Sequence, residues 1–219
     1  MVSPPNNYVS FFRYPGGKKK LLPILTMYLS EYLEMFPDYE YREPFFGGGS
    51  VGIRVLANTP SRTVWINDLD VGIACLWDTV INNPDGLIIL VDEFVPSVDA
   101  FYAFKADLLQ TDAMPVNRDV RTSTAFEKLV VHQLSYSGLG TRSGGPLGGK
   151  TQQSKYLITC RWSPKYIAKQ IRRVSSILSK HSLLSRACTA YHFSELLSDG
   201  IPSVAYVDPP YYHKGDELY

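Results

Sequence analysis

The chain has 219 residues, 45% of them hydrophobic and 20% charged, with 22 Lys+Arg against 21 Asp+Glu and a formal net charge of +1. With 13% aromatic residues and so little net charge, this composition excludes intrinsic disorder and suits a soluble globular protein of one or two domains. No apolar run approaches the roughly 18 residues of a membrane span, and the polar Met1–Asn7 start lacks a signal-peptide core.

Apolar residues from Leu21 to Phe36 recur at helical spacing, so a helix is expected over Lys18–Phe36, with Pro23 tolerated in its first turn. Tyr41–Phe46 reads as a strand running into glycines, and Ser50–Asn58 as a helix. Thr63–Asn67 is a second strand, and Asp70–Ile81 a helix with Asp70 near its start. This alternation implies a parallel sheet covered by helices. From Pro84 to Ser135 the pattern is helical. Gly138–Gly149 is too rich in glycine for regular structure, and Ser163-Pro164 opens a basic helix to about Lys180. Strand character returns at Ser185–Tyr191, Ser194 can cap a short helix, and Ser203–Val207 is a buried-looking strand ending at Asp208. The three cysteines, Cys75, Cys160 and Cys188, are too scattered for a disulfide framework or a CxxC zinc site, and no metal is expected. A reducing cytoplasm fits.

The near-neutral total conceals a strong asymmetry. Lys128–Phe193 contains eleven basic residues and no acid, which leaves eleven basic against 21 acidic residues elsewhere. Segregation on this scale points to a polyanion-binding segment on an acidic body. The competing reading is a solvated helix face paired with acidic neighbours.

Three motifs carry chemistry. Gly47–Gly52 fits G-x-G-x-x-G between a strand and a helix, and Asp68 follows about twenty residues on, where a carboxylate accepts from ribose hydroxyls. Alone, this does not distinguish NAD from another adenosine-bearing cofactor, and an NAD-dependent oxidoreductase stays open. Asp208-Pro209-Pro210-Tyr211 directly follows a strand, where open parallel sheets place their active sites. An adenine exocyclic amine is a poor nucleophile because its lone pair is delocalised into the ring. A carboxylate and a backbone carbonyl accepting both N–H hydrogens would favour tetrahedral nitrogen, with an aromatic ring stacked on the base. Phe12–Lys18 adds an aromatic, a glycine turn and a lysine just before a helix.

RYPGGK near the N-terminus, EPFFGGGS after the first strand, NDLD after the second and DPPY after a later one resemble, in that order, the Dam-like DNA adenine-N6 methyltransferase family. The resemblance spans essentially the whole chain. It implies a Rossmann-like α/β domain with a mainly helical target-recognition insert. The cofactor-binding part would be residues 1–83, the basic DNA-binding insert 84–184, and the return to the catalytic domain 185–219. It further implies S-adenosylmethionine as cofactor and methyl transfer to N6 of an adenine flipped out of double-stranded DNA, with no membrane partner. Tyr14, Gly17 and Lys18 match the family's cofactor contacts. Glu43–Gly49 match the motif around the methionine end, with Phe46 lining the pocket and Gly47 and Gly49 in the turn. Asp68 matches the ribose-binding acid, and His192-Phe193 sit where related enzymes face the cofactor adenine. Asp208, Pro209, Pro210 and Tyr211 match the catalytic loop. Tyr136-Ser137-Gly138-Leu139 resembles a Tyr-Asn-Gly-Leu stretch near the DNA, with serine replacing asparagine, so no target sequence carries over. Arg142, Lys150 and Lys155 flank that loop and are candidate DNA contacts.

The family continues through further strands beyond its DPPY, whereas Tyr219 lies eleven residues after Asp208 and only about four strands are legible. The expectation is therefore a sheet whose later strands are missing, with the catalytic strand as an exposed edge. A truncated piece, or an enzyme completed by a second chain, would be poorly active alone. A non-catalytic DNA-binding remnant is the other outcome.

Overall fold

The computed structural model describes residues 10–14, 18, 20–183 and 200–209. Four strands, β1 (Glu40–Glu43), β2 (Thr63–Ile66), β3 (Ser182–Leu183) and β4 (Ser203–Ala205), form a parallel sheet in the order β3-β2-β1-β4. Tyr41 pairs with Val64 on one side and Val204 on the other, so β1 is central. A strand reading Glu-Tyr-Arg-Glu is a poor candidate for full burial, yet all four residues are buried. Its period of two solves the problem. On one face, Arg42 donates to Glu40 Oε2 from Nε (3.0 Å) and Nη2 (2.7 Å) and lies 4.9 Å from the Trp65 ring centroid. On the other, Tyr41 OH donates to Glu43 Oε2 at 2.6 Å.

β1 is shorter than the Tyr41–Phe46 expected because Pro44 has no N–H to extend the ladder. Asn67 takes over as a clamp. Its backbone N–H donates to the Glu43 carbonyl (3.0 Å), its Nδ2 to the Pro44 carbonyl (3.1 Å), and its own carbonyl accepts from Phe46 N–H (2.8 Å). The expected strand at Ser185–Tyr191 and the helix after Ser194 lie outside the described residues, and β3 is found just ahead of them.

Seven helices are described: α1 (Leu22–Met35), α2 (Gly52–Leu56), α3 (Val71–Asn82), α4 (Pro84–Glu93), α5 (Val98–Leu109), α6 (Arg118–Leu134) and α7 (Pro164–Leu178). Pro23 does fall in the first turn of α1. Asp70 caps α3, accepting from Ile73 N–H at 3.1 Å, and Asn117 Oδ1 caps α6 through two N–H groups. Ser163, expected as a cap, makes no side-chain cap hydrogen bond, and Pro164 alone marks the start of α7. α3 packs on α6, and α7 on α2, α3 and α4, so one hydrophobic cluster runs from the sheet into the helices between β2 and β3. α7 contributes Ile167, Ile171, Val174 and Leu178 to it and leaves Lys165, Lys169 and Arg172 exposed. The apolar stripe of α1 behaves otherwise than its periodicity suggests. Leu22 and Leu33 are buried, but Leu21, Ile24, Tyr28, Tyr32 and Met35 are each more than half exposed.

Candidate active site

β1 feeds β2 and β3 on one side, and the chain then returns to β4 on the other. The carboxyl ends of β1 and β4 therefore flank a topological switch point, where open α/β sheets leave a crevice. A cavity of about 680 Å³ lies at that point. It is walled by the ends of β1, β2 and β4, the N-terminal segment, and residues of α5 and α6 and the loop after α6.

The turn after β1 is built by glycines that admit side chains. Gly47 has φ +47°, and a Cβ there would lie 2.6 Å from the Tyr14 ring. Gly49 has φ +66°, and a Cβ would lie 2.7 Å from Trp77. The left-handed backbone and the missing Cβ are thus both required. They admit Tyr14 and Phe46, which line the cavity, and Trp77, which packs behind them. Trp77 Nε1–H donates to the Gly47 carbonyl at 2.8 Å and its ring meets Phe46 edge-on at 4.7 Å.

Four of the carboxylates lining the cavity have different surroundings. Asp68 accepts from Gly47 N–H (2.8 Å) on Oδ2 and from Asp70 N–H (2.9 Å) on Oδ1, leaving further lone pairs on both oxygens. Burial, with the Asp70 charge adding, raises it to about 6. Glu43 is raised to about 8, chiefly by burial and further by the Asp208 charge, against the opposing hydrogen bonds from Tyr41 OH and Gly52 N–H. Asp208, at the end of β4, pairs with Lys18 Nζ at 3.0 Å and hydrogen-bonds the Tyr206 side chain. Burial and the neighbouring Asp208 and Glu43 charges raise the Tyr206 hydroxyl, so it stays a neutral phenol. Asp70 is held below the usual carboxylate range. Burial pushes it up, but the Lys128 ammonium, 2.5 Å from Oδ2, outweighs that.

The glycine turn, the aspartate after the second strand and the aspartate after the fourth thus open onto one cavity, in the order the motifs follow along the chain. The family model of the D12 class N6 adenine-specific DNA methyltransferases matches residues 14–217. The chain belongs to that family. None of the curated proteins matches it. Membership supports an enzyme and DNA adenine methylation in general terms, rather than an oxidoreductase.

In this methyltransferase, Tyr14, Lys18, Glu43, Phe46, Gly47, Asp68 and Asp208 all line the cavity, while Gly49 shapes the turn from behind. Pro209 is exposed beside Asp208. Gly17, His192, Phe193, Pro210 and Tyr211 lie outside the described residues. Of the candidate DNA contacts, Arg142 borders the cavity as well as being exposed; Tyr136 is 71% exposed, and Ser137, Lys150 and Lys155 are exposed. Lys150 lies 5.3 Å from the Tyr102 ring centroid and Lys155 5.7 Å from that of Tyr156. The basic stretch is not uniformly available. Lys128 is 2% exposed and committed to Asp70, because its position on α6 faces α3 rather than solvent. Arg161 Nη1 donates to the Ser135 and Tyr136 carbonyls at 3.0 and 3.1 Å. Sequence reasoning missed Asn67, Trp77, His132 and Tyr206. Trp77 sits mid-helix in α3 and His132 in the last turn of α6, with no motif around either, whereas Asn67 falls inside NDLD and could have been found there.

No helix among the described residues is long and apolar enough to cross a membrane, and no group of residues that could hold a metal ion occurs among them.

Proposed function

We propose that the chain methylates N6 of adenine in double-stranded DNA, taking the methyl group from S-adenosylmethionine and acting on a base flipped into the cavity. The carrying observation is that Asp208 and Asp68 open onto one cavity at the switch point, with Lys18 and Tyr14 on the same wall. The cavity fits such a cofactor in size and chemistry. About 680 Å³ falls within the range of small-molecule sites, and carboxylates with aromatic walls suit a cationic ligand bearing hydroxyls and a flat base. Tyr14, Lys18, Glu43, Phe46, Gly47, Asp68 and Phe193 would hold it, with Gly17 and Gly49 shaping the turns. When bound, S-adenosylmethionine supplies an activated methyl group on a sulfonium.

The residues of the chain then have distinct tasks. Asp208 Oδ and the Pro209 carbonyl each accept an N6–H, which concentrates the nitrogen lone pair, while Pro210 stiffens the loop and Tyr211 stacks on the base. Lys18 must move off Asp208 Oδ2 for that carboxylate to receive the amine. Tyr136, Ser137, Arg142, Lys150 and Lys155, with the outer face of α7, make up the DNA side, within a target-recognition insert spanning 84–184. Lysine and arginine there position the duplex. Further polypeptide packing beyond β4, from a second chain, belongs to the same proposal. The exposed face of α1, which packs on β4, is the apolar surface such a segment would cover.

The test is methyl transfer from labelled S-adenosylmethionine to unmethylated DNA, followed by sequencing of the modified adenines. Asp208→Ala is expected to abolish transfer while leaving DNA binding intact. Transfer that survives this substitution would overturn the assignment of Asp208. DNA binding without any product, even with added S-adenosylmethionine, would favour a non-catalytic DNA-binding protein.

A further inference from the structure

The C-terminal end of α6 holds a cluster of buried contacts that the proposed chemistry leaves unused. His132 is 3% exposed, and its Nδ1 lies 3.0 Å from both the Arg13 and the Gly138 carbonyl oxygens. Carbonyls only accept, so Nδ1 carries the hydrogen and donates to both, leaving Nε2 bare. The ring stacks on Tyr14 at 5.5 Å and 19°, and meets Phe12 edge-on at 5.5 Å. The loop after α6 closes over the same ring. Gly140 has φ +57°, and a Cβ there would collide with Nε2. The charged neighbours are Lys128, one turn back on α6, and its partner Asp70 on α3. Burial first, and then the Lys128 charge, lower His132 to about 3, so it is neutral at any working pH.

Arg13 repeats the connection on the other side. Its Nη1 donates to the Ser135 and Tyr136 carbonyls at 2.8 and 3.1 Å, and Ser135 Oγ accepts from Gly138 N–H at 2.9 Å. The segment carrying Tyr14, on the cofactor side, and the loop carrying Tyr136 and Arg142, on the DNA side, therefore share one hinge point.

We propose that His132 is a positioning residue whose Nδ1–H ties Arg13–Tyr14 to the loop after α6, coupling cofactor binding in the cavity to DNA binding on the insert. The proposal rests on the reading above. A bond that both ligands depend on must link them reciprocally, since each ligand then changes the other's affinity by one common factor.

The test is calorimetric titration of the full chain with S-adenosylmethionine, with and without sonicated unmethylated duplex DNA, and the reverse titration. The wild-type protein is expected to show a ratio of Kd values of about fivefold or more, equal in both directions. His132→Phe keeps a ring against Tyr14 but has no donor, and the ratio is expected to fall to within about twofold of unity. His132→Asn loses the ring but can place its Nδ2–H near the position of Nδ1–H, and should retain most of the coupling. A merely structural role would lower the melting temperature in both variants without separating their ratios. An unchanged ratio in His132→Phe, or a wild-type ratio of one, overturns the proposal. Should the Phe variant not fold, a folded His132→Asn that has lost the coupling overturns it, and one that keeps it supports it. If wild-type protein binds no S-adenosylmethionine at all, the cofactor reading fails and this inference with it.

Discussion

Replacing Glu43 by Gln should make the protein more stable as the pH rises, even though Glu43 accepts a 2.6 Å hydrogen bond. The carboxyl is 3% exposed at the end of a central strand, and burial together with Asp208 raises it from 4.5 to about 8. Between those values the folded chain holds a proton that the unfolded chain has lost, so stability falls with rising pH across that window. Each unit corresponds to about 1.4 kcal/mol, or on the order of 3 kcal/mol from pH 5 to 7 through this group alone. Gln has nearly the same shape, offers an oxygen to Tyr41 OH, and does not ionise. The difference between variant and wild type should be small at pH 5 and grow in favour of Gln up to pH 8. Taking the difference matters because other groups titrate in the same window. Asp68, raised to about 6, acts with the same sign. His132, lowered to about 3, and His181, lowered mainly by burial, act with the opposite sign, their stabilisation being lost as pH falls below the ordinary histidine value. These contributions are common to both proteins and cancel. Urea denaturation at pH 5, 6, 7 and 8 reads the result. A difference that stays flat with pH, or that turns against Gln, would refute the placement of Glu43 as a protonated, buried acid.

Removing Asp70 should be far costlier than removing its partner. Asp70→Ala strands the buried Lys128 ammonium and uncaps α3, about 4 kcal/mol or more, whereas Lys128→Met leaves a partly exposed Asp70 still capping α3, under about 1.5 kcal/mol. Equal losses in denaturant melts would contradict the burial asymmetry. Gly49→Ala forces a left-handed alanine against Trp77 and Phe46, and should cost about 2–4 kcal/mol by the same measurement. Replacing Lys169, Arg172 and Arg173 by Gln should weaken binding to all DNA sequences alike, with the salt slope falling by about 0.9 per lost phosphate contact. An unchanged slope would return that face of α7 to ordinary solvation.

Motif order and type were legible in the sequence because backbone and chemical requirements are local. The glycine turn, Asp68 and Asp208 each follow a strand in the order seen here, and periodicity located α1, α2, α3 and α7 to within a few residues, whereas α4, α5 and α6 were legible only as one helical stretch. Charge could be read only as a count along the chain. Whether a basic residue meets solvent depends on which helix face packs inward, and this takes Lys128 into the interior against Asp70 while leaving Lys169 and Arg172 exposed. The same holds for α1, whose apolar stripe is plain in the sequence but faces outward over half its positions. β1 shows the reverse, since Glu-Tyr-Arg-Glu looks exposed until pairing at i and i+2 joins Glu40 to Arg42 as ions and Tyr41 to Glu43 by a hydrogen bond inside the sheet. His132 has no sequence signature at all. Its contacts arise from Arg13, Gly138 and Tyr14 converging on one ring, across 119 residues in the first case. The near-zero net charge is therefore a property of the sequence alone, whereas which charges stay exposed, line the cavity or face each other is decided by burial and packing between distant segments.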